Sequence, residues 1–198
     1  MKIFNNLTDP IIVELFNDGK IGIIPTDTVY GFACQANNKD AVNLLYQTKR
    51  RGQTKPGTII AANIAQLISL GFSEAEIEKS KNLLNIGVSV IMNIEAKKSY
   101  LNFGINSQAA RIITEGDLHN LLKKTGPLLT SSANKPGQDP ITTIEQGVNL
   151  FEKDIAFFVD GGEINNSPST IVRMNHGRLD IIRNGSIDVS GFLKQNLS

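Results

Sequence analysis

Three stretches of this sequence concentrate groups able to hold an anionic ligand. The first is Lys49, Arg50, Arg51 and Lys55, the only charged residues between Ala41 and Ser73. Cations with no carboxylate among them create a local positive potential. Arg offers two parallel donors to a pair of oxygens, and Lys a mobile point charge, so the cluster suits phosphate. The alternative is a solvated helix end, because cations favour the C-terminus of a helix and a charge run alone is a weak signal.

The second stretch is PTDTVYG, from Pro25 to Gly31. Alternation beside a strand end turns Thr26, Thr28 and Tyr30 to one face, where their hydroxyls suit a small polar ligand such as an amino acid. The alternative is a tight turn in which Asp27 and the threonines satisfy only their own backbone. The third is LLTSSANKPGQDP, which places Thr130, Ser131, Ser132 and Asn134 where an apolar strand runs out into a Gly/Pro loop. Loops leaving strand ends are frequent ligand sites, and Ser132 and Asn134 suit ribose or phosphate oxygens; a plain polar turn is again the alternative. No Walker loop and no G-x-G-x-x-G occurs, so any nucleotide site is built on another plan. Neither His119 nor His176 falls in a Ser-His-Asp pattern, and both read as surface residues.

The elements that position these groups follow from periodicity and caps. Asp9 to Asn17 reads as an amphipathic helix ended by Asp18-Gly19, then Ile21 to Ile24 as a buried strand stopped by Pro25. FACQA is extended, and Asn38 caps a helix that runs into Lys49. GTIIAAN is a strand, followed by helices around Ile64–Leu70 and Glu74–Leu84. GVSVIMNI and QAARII are strand-like, Asp117 to Lys124 is helical, and PLLTSS is a short strand. Thr142 or Thr143 caps a helix reaching Phe151. IAFFVD, STIVRM and LDIIRN complete a strand-rich end. The irregular alternation, with adjacent strands late in the chain, predicts an α/β domain with a mixed sheet.

Composition bounds the function. The 198 residues carry 20 Lys+Arg against 19 Asp+Glu, a net charge of +1, which excludes whole-protein electrostatic capture of nucleic acid as the default. Aromatics at 6% with no Trp leave little stacking surface for bases. The single cysteine, Cys34, excludes a disulfide framework and a Cys-based zinc cluster, and two histidines leave little for a His-rich metal site. The longest uncharged window, Pro56 to Ser73, is broken by Pro, Gly, Asn, Gln and Ser and reads as strand plus helix rather than a membrane span. With no secretory signal pattern at the start, a cytoplasmic protein is expected.

Taken together and in order, IIPTDTVYGFAC, the Lys49–Lys55 run, GTIIAAN, AARI around Arg111, TSSAN, STIVR and IIRNGSI resemble the YrdC/Sua5 family of threonylcarbamoyl-AMP synthases. The resemblance spans roughly Ile21 to Ile187. It implies a twisted mixed sheet, parallel and antiparallel, flanked by helices around a large, positively lined concave cavity. It further implies a single YrdC-like domain over residues 1–198, with its core at about 8–190 and no C-terminal Sua5 domain. The reaction implied joins L-threonine, bicarbonate or CO2, and ATP into threonylcarbamoyl-AMP and pyrophosphate. The product then passes to t6A transferase proteins of the Kae1/TsaD type, which modify adenosine 37 of tRNA.

Carried over position by position, the resemblance makes Lys49 and Arg51 catalytic. It gives Lys49, Arg51, Lys55, Ser107, Ser132, Asn134, Pro140 and Arg183 to ATP, and Thr28, Arg111 and Thr130 to threonine. Thr26, Tyr30, Ser131 and Ser169 are further candidates. Mg2+ is expected with ATP, with no protein metal ligand and no organic prosthetic group. The chain departs from the family pattern at IGVSVIM, where P-G-P-x-T is usual, at Arg111-Ile112-Ile113, where the third residue is usually Pro, and at Pro136, where the usual S-A-N-x-S-G carries Ser. Two other readings remain: a divergent double-stranded RNA- or ribosome-associated module without synthase activity, with weak RNA binding, and a carbamoyl-adenylate enzyme akin to domains of hydrogenase-maturation carbamoyltransferases.

Overall fold

The computed structural model describes residues 2–49, 55–175 and 178–194. Ten strands form one sheet: β1 (Lys2–Phe4), β2 (Gly22–Ile24), β3 (Gly31–Gln35), β4 (Thr58–Ala61), β5 (Ser89–Asn93), β6 (Ser107–Ile112), β7 (Leu128–Ser132), β8 (Phe157–Val159), β9 (Ile171–Asn175) and β10 (Arg178–Arg183). Their order across the sheet is β1-β8-β2-β3-β7-β4-β6-β5-β9-β10. The pairs β1–β8, β2–β8, β4–β6 and β5–β9 are parallel and the remaining five antiparallel, so the sheet is mixed, as the pattern of elements predicted.

Period-two alternation sorts side chains onto two faces. One face, carrying Ile23, Phe32, Ile59, Val90, Ala110, Leu129 and Val172, packs under α2 (Lys39–Thr48), α3 (Ile64–Leu70), α4 (Glu74–Asn85) and α6 (Ile144–Phe151). The other, carrying Ile24, Ala33, Ile60, Leu128 and Phe157, packs under α1 (Pro10–Asn17) and α5 (Gly116–Thr125). This second cluster draws no buried residue from β5, β6, β9 or β10. Among the described residues, half of that face is therefore left without a helical cover, and a cavity opens there.

The caps were legible locally. Asp9 accepts from the Ile11 N–H with Pro10 in the first turn, and Asn38 accepts from the Ala41 N–H. Thr143 is the N-cap of α6 without a side-chain bond; Gln146 reaches back instead to the Thr142 N–H at 2.9 Å. Three elements escaped the periodicity: β1, a 3-10 helix over Ala96–Leu101, and α7 (Ser190–Lys194). All are short, and β1 is an edge strand whose three residues become a strand only by pairing with β8, 153 or more positions away. His119 is half-buried rather than on the surface, its Nδ1 2.7 Å from the Ile113 carbonyl. His176 lies outside the described residues. No helix among the described residues is long and apolar enough to cross a membrane.

Cys34 sits on β3 beneath α2, fully buried, and burial pushes its thiol well above the ordinary range. The folded protein is thus expected to resist alkylation by iodoacetamide at pH 8, with labelling appearing on unfolding in guanidinium. Rapid labelling of the native protein contradicts this packing.

Candidate functional site

A cavity of about 530 Å³ lies over the uncovered half of the sheet. Its floor is a row of residues in register across five strands: Thr130 on β7, Thr58 on β4, Ala109 on β6, Ile91 on β5 and Arg173 on β9. Ser107 and Arg111 flank Ala109 on the same face of β6, and Ile171 stands beside Arg173. The register shift between Ile181 and Arg183 puts two successive residues, Ile182 and Arg183, on the cavity wall together. A bulge re-aims side chains in this way.

Loops complete the rim. Thr26 and Thr28 enter from the turn after β2, where Thr26 Oγ1 donates to the Val29 carbonyl at 2.6 Å and lies 3.2 Å from Thr28 Oγ1. Lys55, Pro56 and Gly57 come from the segment before β4. A Cβ at Gly57 would meet the Thr130 carbonyl oxygen at 2.6 Å, so only glycine lets this segment lie against β7. Pro168 and Ser169 close the far side, with the Arg183 guanidinium donating to the Ser169 carbonyl at 2.7 and 3.1 Å.

Two features organise the electrostatics. Arg111 is 3% exposed, and its Nε and one Nη donate to the two oxygens of Asp27 at 3.0 and 2.6 Å, a fork-on-carboxylate pair. The turn reading of Asp27 is thus corrected: its carboxylate reaches across 84 positions to hold the cavity's arginine. Lys49, also buried, ends α2 and points behind the cavity wall. Its ammonium donates to the Ser132 carbonyl at 2.7 Å, to Asn134 Oδ1 at 2.6 Å and to the Asn134 carbonyl, 5.4 Å from the Phe32 ring centroid. Ser132 Oγ donates to Asn134 Oδ1 at 2.6 Å, and Asn134 Nδ2 to the carbonyls of Lys135 and Gln138 at 2.9 and 2.7 Å.

Of the residues singled out from the sequence, Thr26, Thr28, Lys55, Ser107, Arg111, Thr130, Ser131, Ser132, Ser169 and Arg183 are gathered around one cavity. Lys49, Asn134 and Pro140 are not on its wall; the first two form the clasp beneath Ser132, because a buried ammonium must be fully hydrogen-bonded. Tyr30 also departs from the expected shared face. The turn breaks the alternation, the ring is drawn fully into the core, and its hydroxyl donates to the Gly162 carbonyl and accepts from the Gly161 N–H, each at 2.8 Å. Burial raises this phenol above its ordinary value, the Gly161 N–H pulling the other way. Arg51 and Arg50 lie outside the described residues. The sequence reading missed Asp27 as a cavity partner, and it missed Arg173 and the isoleucines 91, 105, 171 and 182. Arg173 had one local signal: as the third residue of Ile171-Val172-Arg173 it shares the face opposite the buried Val172.

A model of the Sua5/YciO/YrdC family, described as "Telomere recombination", matches residues 14–185. A protein of Hydrogenovibrio crunogenus named threonylcarbamoyl-AMP synthase is 33% identical over 153 residues, covering 73% of this chain and 82% of that one. In fold, the chain is similar to P. abyssi Sua5 solved with L-threonine, with a TM-score of 0.87 at 20% identity. That match covers all of this chain, which spans 61% of the length of that Sua5. E. coli YciO is similar with a TM-score of 0.83 at 19% identity over 98% of this chain and all of its own. By the extent of the family match and the identity to the bacterial synthase, this chain belongs to the Sua5/YciO/YrdC family.

Proposed function

We propose that this chain is a cytoplasmic threonylcarbamoyl-AMP synthase, forming threonylcarbamoyl-AMP and pyrophosphate from L-threonine, bicarbonate or CO2, and ATP. The observation carrying the reading is one small-molecule-sized cavity that combines a hydroxyl-rich, arginine-bearing pole with further cations and serines. The names borne by the relatives support it.

Threonine takes the Thr28–Arg111–Thr130 pole, its carboxylate on the edge of the Arg111 guanidinium that Asp27 leaves open. ATP lies along Lys55, Ser107, Ser132 and Arg183, and the family resemblance adds Arg51. The threonine amine forms an N–C bond to CO2, losing a proton to give a carbamate. A carbamate oxygen then attacks the α-phosphorus, and the bond to the β-phosphoryl oxygen breaks to release pyrophosphate. Such a displacement needs charge neutralisation and alignment more than a protein nucleophile. Lys49 and Asn134 act by fixing the strand exit that carries Ser132, with Pro140 in the loop that follows. Mg2+ enters as the companion of the ATP phosphates: the wall offers cations and hydroxyls, and its neighbouring carboxylate, Asp27, is held by Arg111. The product suits a separate t6A transferase as its consumer.

Purified protein with ATP, Mg2+, L-threonine and bicarbonate is expected to release pyrophosphate only when both threonine and bicarbonate are present, with the adenylate seen by mass spectrometry. Release that ignores threonine, or no turnover, overturns the reading.

A further inference from the structure

Arg173 is the cavity cation for which no role has been assigned. It lies on β9, in register with Ile91 of β5 on one side and Asp180 of β10 on the other, and it is exposed. Its in-register neighbour Asp180 is a carboxylate on the same face of the β9–β10 ribbon. Among the described residues, though, Arg173 forms no ion pair and no hydrogen bond through its guanidinium, which lines the cavity instead. This sets it apart from Arg111, which is bound to Asp27, and Arg183, which is bound to Ser169.

Position gives the rest of the argument. Thr130 and Arg173 end the floor row, four strand spacings apart, or about 19 Å at ~4.8 Å per spacing. The steps nearest Arg173 are apolar, Ile91 and Ile171, with the exposed Ile105 and Ile182 also on the wall. A guanidinium with open donors meets a multiply charged oxyanion with two parallel hydrogen bonds, and the apolar residues on its cavity side offer no competing acceptor.

We propose that Arg173 is a phosphate-binding residue of this cavity, taking an oxyanion of the nucleotide's polyphosphate at the end of the floor remote from Thr130. The proposal rests on the synthase reading for the identity of the nucleotide, and on the cavity itself for the anion. Arg183, paired with Ile171, is the second cation at this end of the wall.

The test is isothermal titration of the full chain with inorganic pyrophosphate, ATP and adenosine, using wild type, Arg173→Gln, Arg173→Lys and Arg178→Gln. Arg178 is an exposed β10 cation outside the cavity lining, and its substitution makes the same change of charge. The expected result is a tenfold or greater loss of pyrophosphate and ATP affinity in Arg173→Gln, a smaller loss in Arg173→Lys, and none in Arg178→Gln. Adenosine affinity is expected to be unchanged throughout. Unaltered pyrophosphate affinity in Arg173→Gln overturns the proposal. Equal losses in Arg178→Gln overturn it too, because they reveal a diffuse field. So does a matching loss of adenosine affinity, which places the contact on the base. Selective loss of pyrophosphate binding in Arg173→Gln, in a protein with no threonine-dependent turnover, supports this site while the synthase reading falls.

Discussion

Arg111→Lys is expected to raise the KM for threonine by roughly 10- to 100-fold, the equivalent of one charge-assisted contact of about 1.5–3 kcal/mol. The reason is geometric. Arg111 spends Nε and one Nη on Asp27 and keeps a second donor edge for the cavity, whereas a lysine ammonium on a thinner stem cannot serve two carboxylates with parallel pairs. Asp27→Ala tests the same pair from the other side. The carboxylate is 30% exposed and the guanidinium side chain 4%, so the loss leaves a nearly buried cation without its partner. Breaking a fully buried pair costs about 3–5 kcal/mol; with the exposed carboxylate discounted, about 2 kcal/mol is expected, or a fall of about 4–8 °C in Tm. Threonine KM rises as well, because the unheld guanidinium loses its orientation. Steady-state kinetics with threonine varied, beside thermal unfolding, separates the two effects. An unchanged threonine KM in Arg111→Lys removes the amino acid from this arginine.

Lys49→Met is expected to destabilise the fold by about 3 kcal/mol, lowering Tm by about 6–12 °C, and to depress turnover beyond what the loss of folded protein explains. Methionine fills much of the same volume over Phe32, so packing changes little. What is lost is the donor to the carbonyls of Ser132 and Asn134 and to the Asn134 amide oxygen, part-buried at the end of β7 and the start of the loop after it. Unsatisfied acceptors of this kind each cost about 1–3 kcal/mol. Urea unfolding at equilibrium gives the stability, and turnover measured well below the transition gives the second effect. A variant as stable as wild type but inactive returns Lys49 to direct phosphate contact. A variant both stable and active removes it from the site altogether.

Much of the architecture was legible in short windows. Asp9 and Asn38 announced their helices because a cap is a contact between residues two or three apart. The buried strands announced themselves as short apolar runs between turn residues. The edge strand β1 did not, since three residues have no period and acquire hydrogen bonds only from a distant partner. The ordered motifs carried the family, and with it the grouping of Thr28, Lys55, Arg111, Thr130 and Ser132, which the structure brings to one cavity.

The division within the site has a physical cause. Sequence alone determined which residue types are present, which strand or loop carries each, and, through alternation, which neighbours share a face. Arg173 beside Ile171 and Arg111 beside Ala109 follow from that rule. Only the tertiary structure decided which charges are consumed by the protein itself. Lys49 and Arg111 look alike in sequence as cavity cations. Yet one is buried under Ser132 and Asn134, and the other is locked to Asp27; of the two wall arginines on β9 and β10, Arg183 is held by Ser169, while Arg173 has no acceptor among the described residues. Ser132 lies 83 positions from Lys49, Asp27 84 from Arg111 and Ser169 14 from Arg183, and their meeting depends on strand order and register. A side chain's desolvation and its hydrogen-bond partners are properties of that assembled neighbourhood, so no local pattern of residues contains them.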